Sequence, residues 1–266
     1  MRRIFLISLS LAFSILSVLT LAGSGSRTFT VTAHRGGAFL GNENTVSCIL
    51  KGMATGADAV EIDVHQSADG ALIVCHDPTL DRTTDRSGRI EELTLEEIRQ
   101  ARIKDAEGNL YDETVPTLEE VLALVKGHCN LLLEVKRNRK DQYPGIEARI
   151  LAAVDAAGMR GATVFQSFDD LVLENFHALD KTLRLEKLLF CRLPFGLCFD
   201  GGFRRFSLEK YHYIASFNSM GALTTRRFVR QMHAAGREVK IWTVNNPAKL
   251  IEGVDGVITN DPRLFL

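Results

Sequence analysis

The chain has 266 residues, 45% hydrophobic and 24% charged, with a formal net charge of −1. That balance is ordinary for one soluble domain of barrel size and excludes the basic surplus of a nucleic-acid-binding protein. The five cysteines have no zinc-ligand spacing, and their odd number argues against a disulfide framework, so free and mostly buried thiols are expected.

The N-terminus differs from the rest. Met1-Arg-Arg3 leads into Ile4–Ala22, apolar or small throughout and uncharged. As a helix this run would be roughly 28 Å long, close to the ~30 Å hydrocarbon core, and the arginines before it fit a cytoplasmic start. Ala22-Gly-Ser24 offers a small-residue cleavage site. Residues 1–28 are therefore expected to be a signal peptide or membrane anchor with a short linker. The domain at 29–266 is expected to be exported. It is either tied to a membrane through residues 4–22 or secreted or periplasmic after cleavage.

From Phe29 onward strand and helix alternate. Phe29–Ala33 is a short apolar run ending in His34-Arg-Gly-Gly37. Val46, Ile49, Leu50 and Met53 recur at helical spacing before Gly56. A second strand follows in Ala59-Val-Glu-Ile-Asp-Val-His65, and residues 66–116 form an excursion with an extended piece at Ala71–Cys75. Thr94-x-x-Glu97 and Thr117-x-x-Glu120 are capping boxes that open two helices. Leu131–Lys136 is the third strand, and Ile146–Ala157 is a helix stopped by Gly158. Further strands are expected near Thr163–Gln166, Arg184–Leu189, Tyr211–Ser216, Glu238–Val244 and Gly256–Thr259, with a helix over Thr225–Ala235. Eight strands with helical crossovers predict an α/β fold, a (β/α)8 TIM barrel with a small insertion after strand 2 and a truncated last helix.

Alternate residues of a strand share a face, so Glu61 and Asp63 point the same way, as do Glu134 and Lys136. Two carboxylates aimed into one space repel unless a proton or a cation separates them. Either a hard divalent ion with oxygen ligands sits there, or one of the pair is a structural acid. Barrel enzymes place their chemistry at the C-terminal ends of strands. His34 and Arg35, Glu61 and Asp63, Glu134 and Lys136, Gln166 and Ser167, and Trp242 and Asn245 all fall at those ends. His65 has the parity of Asp63 but reads as an exposed loop histidine. The glycine-rich, apolar segment Phe195–Phe203 follows strand five and would be either packing or a lid.

The ordered set of short motifs resembles the glycerophosphodiester phosphodiesterase family. It runs through His34-Arg-Gly36, Glu43-Asn-Thr45, Gly56-Ala-Asp58, Glu61-x-Asp63, Asp69-Gly70 and His76-Asp77. It continues with Glu134-Val-Lys136, Ser167-Phe-Asp169, Trp242-Thr-Val-Asn245 and Asp255-Gly-Val-Ile-Thr259. Two departures, Asn42 before Glu-Asn-Thr and the sequence Asn260-Asp-Pro262, are expected to lie away from the chemistry. The resemblance implies hydrolysis of a small-molecule glycerophosphodiester to an alcohol and sn-glycerol 3-phosphate. It implies His34 and His76 as the acid–base pair, and one divalent cation, Mg2+ or Ca2+, on Glu61, Asp63 and Glu134. Arg35, Lys136, Glu43, Phe168 and Trp242 would line the phosphate and substrate site, Glu43 either touching glycerol hydroxyls or tying its loop to a helix. Asp77 would orient His76. Phospholipase D-type or lysophospholipid phosphodiesterases on the same barrel, and an exported non-catalytic binding module, are the alternatives.

Overall fold

Eight short strands of mostly apolar residues, joined by seven connections long enough to return to the starting edge, close on themselves. The computed structural model describes residues 27–139, 142–192 and 197–266. The apolar run Ile4–Ala22 and part of the glycine-rich segment lie outside those residues. The first half of the chain supplies β1 (Thr30–Ala33), α1 (Val46–Ala54), β2 (Ala59–Gln66), β3 (Leu72–Val74), α2 (Leu95–Arg99), β4 (Arg102–Lys104), β5 (Leu110–Thr114), α3 (Leu118–Val125) and β6 (Asn130–Val135). The second half supplies α4 (Ile146–Ala156), β7 (Thr163–Ser167), α5 (Asp170–Leu179), β8 (Leu185–Leu189), β9 (Cys191–Arg192), β10 (Leu197–Phe199), β11 (Phe203–Arg205), β12 (Ser216–Met220), α6 (Arg226–Ala234), β13 (Glu238–Trp242) and β14 (Gly256–Thr259). Strands β1, β2, β6, β7, β8, β12, β13 and β14 pair in parallel, and β1 bonds to both β14 and β2, which closes the barrel.

Outward-facing residues such as Val60, Ile62, Leu131, Leu133, Phe165 and Ile241 pack under the helices in one continuous core. Both expected capping boxes form, at Thr94/Glu97 and Thr117/Glu120. The insertion after β2 carries β3, α2, β4 and β5 over a small core of its own, built on Ile73, Leu80, Ile90, Ile98 and Ile103. After β14 the described residues form a 3-10 turn, Pro262–Leu264. All five cysteines are free thiols, and four are buried.

Two sequence expectations are corrected. The sixth barrel strand is Ser216–Met220 rather than Tyr211–Ser216. Tyr211 and Ile214 are buried in the preceding turn, where the Tyr211 hydroxyl donates to Asp170 at 3.0 Å. The true strand presents Ser216 and Asn218 on its inward face, so no apolar alternation marks that side. His65 is a buried residue of β2, not an exposed loop residue.

Candidate active site

The β1–α1 connection is held in an uncommon backbone conformation. His34–Gly36 make a 3-10 turn with Arg35 at φ +52°, and Asn44 sits at φ +59°. Left-handed conformations are costly for residues other than glycine, so the surroundings must hold them. They do: Arg35 N–H donates to Glu61 Oε2 at 2.8 Å, and Asn44 N–H donates to the Arg35 carbonyl at 2.9 Å. His34 Nδ1 lies 2.6 Å from Asn260 Oδ1. An amide oxygen only accepts, so Nδ1 carries the hydrogen and Nε2 keeps its lone pair. Burial, with Arg35 alongside, lowers His34 to about 4, which leaves the ring neutral at physiological pH.

Glu61 and Asp63 of β2 and Glu134 of β6 each offer an oxygen within 4.8 Å of the others, and all three are buried. Register explains this: Asp63 pairs with Glu134 across the β2–β6 ladder, and Glu61 lies one inward position below Asp63. Asn44 Nδ2 donates to Asp63 Oδ2 at 2.8 Å, Arg35 Nε lies 3.6 Å from that oxygen, and Lys136 Nζ is 2.7 Å from Asp63 Oδ1 and also pairs with Glu134. Burial, Asp63 and Glu134 together push Glu61 well above the usual carboxylate range. Burial also raises Glu134, against the pull of Lys136. Burial works the same way on Asp63 but is outweighed by Lys136, His76 and Arg35, which hold it well below that range. Two carboxyls resisting ionisation beside a third that is ionised is the signature of a cluster short of positive charge. Asp63 Oδ1 receives no well-aligned hydrogen bond despite the nearby ammonium. The all-oxygen donor set fits a hard divalent cation.

His76 follows β3. Its Nδ1 lies 2.7 Å from Asp77 Oδ1, so the carboxylate accepts and Nε2 is left toward the pocket. Burial lowers His76, with Lys136 and Arg35 adding to the shift, while the charge of Asp63 and the hydrogen bond to Asp77 oppose it. A pocket at the C-terminal end of the barrel is lined by His34, Arg35, His76, Lys136, Phe168 and Trp242, with Glu61 and Glu134 in its floor. Phe168 and Trp242 meet edge to face at 5.6 Å, and Trp242 Nε1 donates to the Asn218 carbonyl at 2.8 Å. Glu43 is not part of this lining. Its carboxylate pairs with Arg35 at 2.9 Å and with Arg82 at 2.6 Å.

Several supporting residues escaped the sequence reading. Asn260, expected to be remote, touches His34 directly. Asn44 orients Asp63, and its tolerance of positive φ was the available signal. His65 supports the His76 backbone: its Nε2 lies 3.2 Å from the His76 carbonyl, and its Nδ1 lies 2.8 Å from the Tyr143 hydroxyl. Because the carbonyl accepts, Nε2 carries the hydrogen and the tyrosine donates to Nδ1. Arg82 bonds to Asp77 and Glu43 from within the insertion, and nothing in its local sequence marks it.

The closed parallel barrel thus carries two histidines, the basic side chains of Arg35 and Lys136 and a buried carboxylate triad at the C-terminal end of its strands, the end where barrel enzymes place their chemistry. The family model for the glycerophosphoryl diester phosphodiesterase family matches residues 34–264, and the chain belongs to that family. It is an enzyme of the phosphoric diester hydrolase class. Glycerophosphodiester phosphodiesterases from Bacillus altitudinis and Caldanaerobacter subterraneus are each 32% identical to it, over 87% and 89% of this chain and 94% and 96% of their own. An Oleispira antarctica phosphodiesterase solved with its product sn-glycerol-3-phosphate superposes with a TM-score of 0.73 at 25% identity, covering 88% of this chain and 94% of that one.

Proposed function

We propose that this chain hydrolyses glycerophosphodiesters to an alcohol and sn-glycerol 3-phosphate, using one divalent cation and two histidines. The observation that carries the reading is the buried triad Glu61, Asp63 and Glu134 opening into a pocket walled by His34 and His76. Glu61, Asp63 and Glu134 hold the cation, Mg2+ or Ca2+, which when bound polarises the phosphoryl oxygens. Arg35 and Lys136 face the same pocket and neutralise charge that grows on those oxygens in the transition state. His34, neutral with its Nε2 free, takes a proton from the attacking oxygen, whether that of water directly or of a neighbouring glycerol hydroxyl whose cyclic phosphate water then opens. His76, in the imidazolium form that the Asp77 carboxylate stabilises through Nδ1–H, gives its Nε2 proton to the leaving alkoxide as the phosphorus–oxygen bond breaks and is left neutral. Each transfer contributes typically 10²–10⁴ in rate. Phe168 and Trp242 set the apolar side of the substrate site.

One observation favours a second substrate class. From Trp242 and Phe168 the rings of Phe190, Phe199 and Phe203 follow one another at 5.1–5.3 Å, ending at the exposed Phe203. Such a strip suits a single acyl chain, as in a lysophospholipid. The run Ile4–Ala22 is assigned as an export signal or membrane anchor on its composition. Among the described residues no helix is long and apolar enough to cross a membrane.

The test is a product assay over glycerophosphodiesters and lysophospholipids, with and without chelator, on wild type and the Glu134→Gln, His34→Ala and His76→Ala variants. Chelation abolishes turnover and Mg2+ or Ca2+ restores it. Glu134→Gln weakens metal binding measured by calorimetry, and each histidine variant folds but loses at least ~10² in turnover. On a diester with an activated leaving group His76→Ala recovers and His34→Ala does not. Full activity in excess chelator after exhaustive dialysis overturns the metal assignment. Wild-type rates from both histidine variants on a natural diester overturn the acid–base assignment.

A further inference from the structure

The insertion after β2 does more than cover the barrel. Five residues beyond Asp77, the Arg82 guanidinium spans two carboxylates, one from the connection after β1 and one from the segment after β3, each of which pairs with a residue that lines the pocket. Nε donates to Asp77 Oδ2 at 2.6 Å and Nη2 to Asp77 Oδ1 at 3.1 Å. Nη1 donates to Glu43 Oε2 at 3.1 Å and Nη2 to Glu43 Oε1 at 2.6 Å. Each carboxylate has one further partner. Asp77 Oδ1 accepts from His76 Nδ1 at 2.7 Å, and Glu43 Oε1 accepts from Arg35 Nη1 at 2.9 Å. A line of charge-assisted bonds thus runs His76–Asp77–Arg82–Glu43–Arg35. Leu80 and Thr84, two residues to either side, are buried, and Thr84 Oγ1 donates to the Leu80 carbonyl at 2.8 Å, so the backbone under Arg82 is fixed.

The arginine side chain itself is 49% exposed. Ion pairs that exposed contribute little to folding, so stability does not account for four aligned bonds. Their geometry matters elsewhere: a 1 Å misplacement of a reacting group costs ~10²-fold in rate. A lysine could neutralise one carboxylate but could not fork to both, because its ammonium is a point charge and the guanidinium a planar set of five donors.

We propose that Arg82 is a positioning residue with two points of action. Through Asp77 it fixes the His76 ring with Nε2 facing the pocket. Through Glu43 it holds the Arg35 guanidinium toward the phosphodiester. The inference rests on the roles assigned above to His76 and Arg35.

The test is steady-state kinetics of the metal-loaded full chain on a natural glycerophosphodiester and on an activated p-nitrophenyl diester. The variants are Arg82→Ala, Arg82→Lys, Asp77→Asn, the Arg82→Ala/Asp77→Asn pair and His76→Ala. Arg82→Ala lowers kcat/KM on the natural diester by about 10–100-fold, the usual toll of removing a group that orients a functional side chain. Its kcat deficit shrinks on the activated diester, which needs no proton on its leaving group, while a raised KM persists on both. Arg82→Lys does not restore activity. Added guanidinium chloride at millimolar concentration rescues Arg82→Ala but not Asp77→Asn, and the double variant loses no more kcat on the natural diester than Asp77→Asn alone, while its KM rises further because the Glu43 arm is also lost. Wild-type rates from Arg82→Lys, strictly multiplicative losses of kcat in the double variant, a double-variant KM equal to that of Asp77→Asn, or failure of guanidinium to rescue overturns the proposal. His76→Ala separates the two levels. Wild-type turnover from that variant removes the acid assignment, whereas its normal loss beside an active Arg82→Ala removes only the role of Arg82.

Discussion

Gly52 is the place where the barrel's helical layer presses directly on the His34–Gly36 turn, to which the proposed function assigns catalysis. It lies in α1 with its Cα against the His34–Gly36 segment. A Cβ built there would sit 2.2 Å from the Gly36 carbonyl oxygen, 3.0 Å from the Gly36 carbonyl carbon and 3.1 Å from Ala33 Cβ. Carbon–oxygen contacts relax only near ~3.3 Å, so Gly52→Ala forces helix and turn apart by about 1 Å. The nearest contacts are backbone, so no side chain can rotate out of the way. Overpacking of this kind costs about 1–3 kcal/mol, against which the exchange of glycine for alanine in a helix returns about 1 kcal/mol. The net loss of roughly 0–2 kcal/mol lowers Tm by no more than about 8 °C for a domain of this size. The effect on catalysis is larger, because the displaced turn carries His34 and Arg35, and ~1 Å of displacement costs on the order of 10²-fold. Calorimetry alongside turnover on a soluble glycerophosphodiester checks both numbers. Gly161→Ala is the control, since a Cβ there meets nothing within 4 Å. Wild-type turnover in Gly52→Ala, whatever its Tm, refutes the coupling of helix to catalytic turn.

Two further outcomes are expected. Burial lowers His65 to about 4 from an ordinary 6.5, so the fold keeps it neutral while the unfolded chain takes up its proton first. Its stabilisation is therefore complete above about pH 6.5 and is lost as pH falls toward 4, on the order of 3 kcal/mol in all. His65→Gln should flatten the pH dependence of urea unfolding in that window, and an unchanged slope would refute the assignment. If the run Ile4–Ala22 anchors the chain as proposed, deleting Met1–Gly23 releases the protein from membranes and leaves turnover on soluble diesters unchanged, because β1 enters at the end of the barrel opposite His34. Mature protein starting near Ser24 would identify a signal peptide, and strong preference of the full chain for bilayer-embedded substrate would refute the orientation.

Legibility in the sequence followed the range of the interactions. The β2 and β6 strands were readable because their outward residues, Val60, Ile62, Leu131 and Leu133, are apolar while the inward ones carry carboxylates. Capping boxes were readable because both partners lie three residues apart. The sixth strand was not, since its inward residues Ser216 and Asn218 are polar and the apolar Tyr211 and Ile214 precede it. The partners of the functional side chains were the least readable. His34 meets Asn260 across 226 positions and Arg82 meets Glu43 across 39, distances over which no local spacing carries information.

The barrel interior gives the physical reason that the carboxylate pattern is not confined to the rim. Barrels of this type are usually filled by layers of branched apolar side chains. Here a hydrogen-bonded column replaces much of that filling. Lys240 Nζ donates to Glu186 Oε1 at 2.6 Å, Asn218 Nδ2 to Glu186 Oε2 and to Gln166 Oε1 at 2.8 Å each, and Gln166 Nε2 reaches Glu61 Oε1 at 3.4 Å. Gly256 makes room for it, because a Cβ there would lie 2.9 Å from Lys240 Cγ. Buried polar networks are costly when incomplete and rigid when every member is paired. Each amide in this column is used at both ends, so Gln166 has no freedom to turn away from Glu61. The orientation of that carboxylate is thereby set from beneath by the barrel's own axis, and from above by the Arg35 N–H of the catalytic turn.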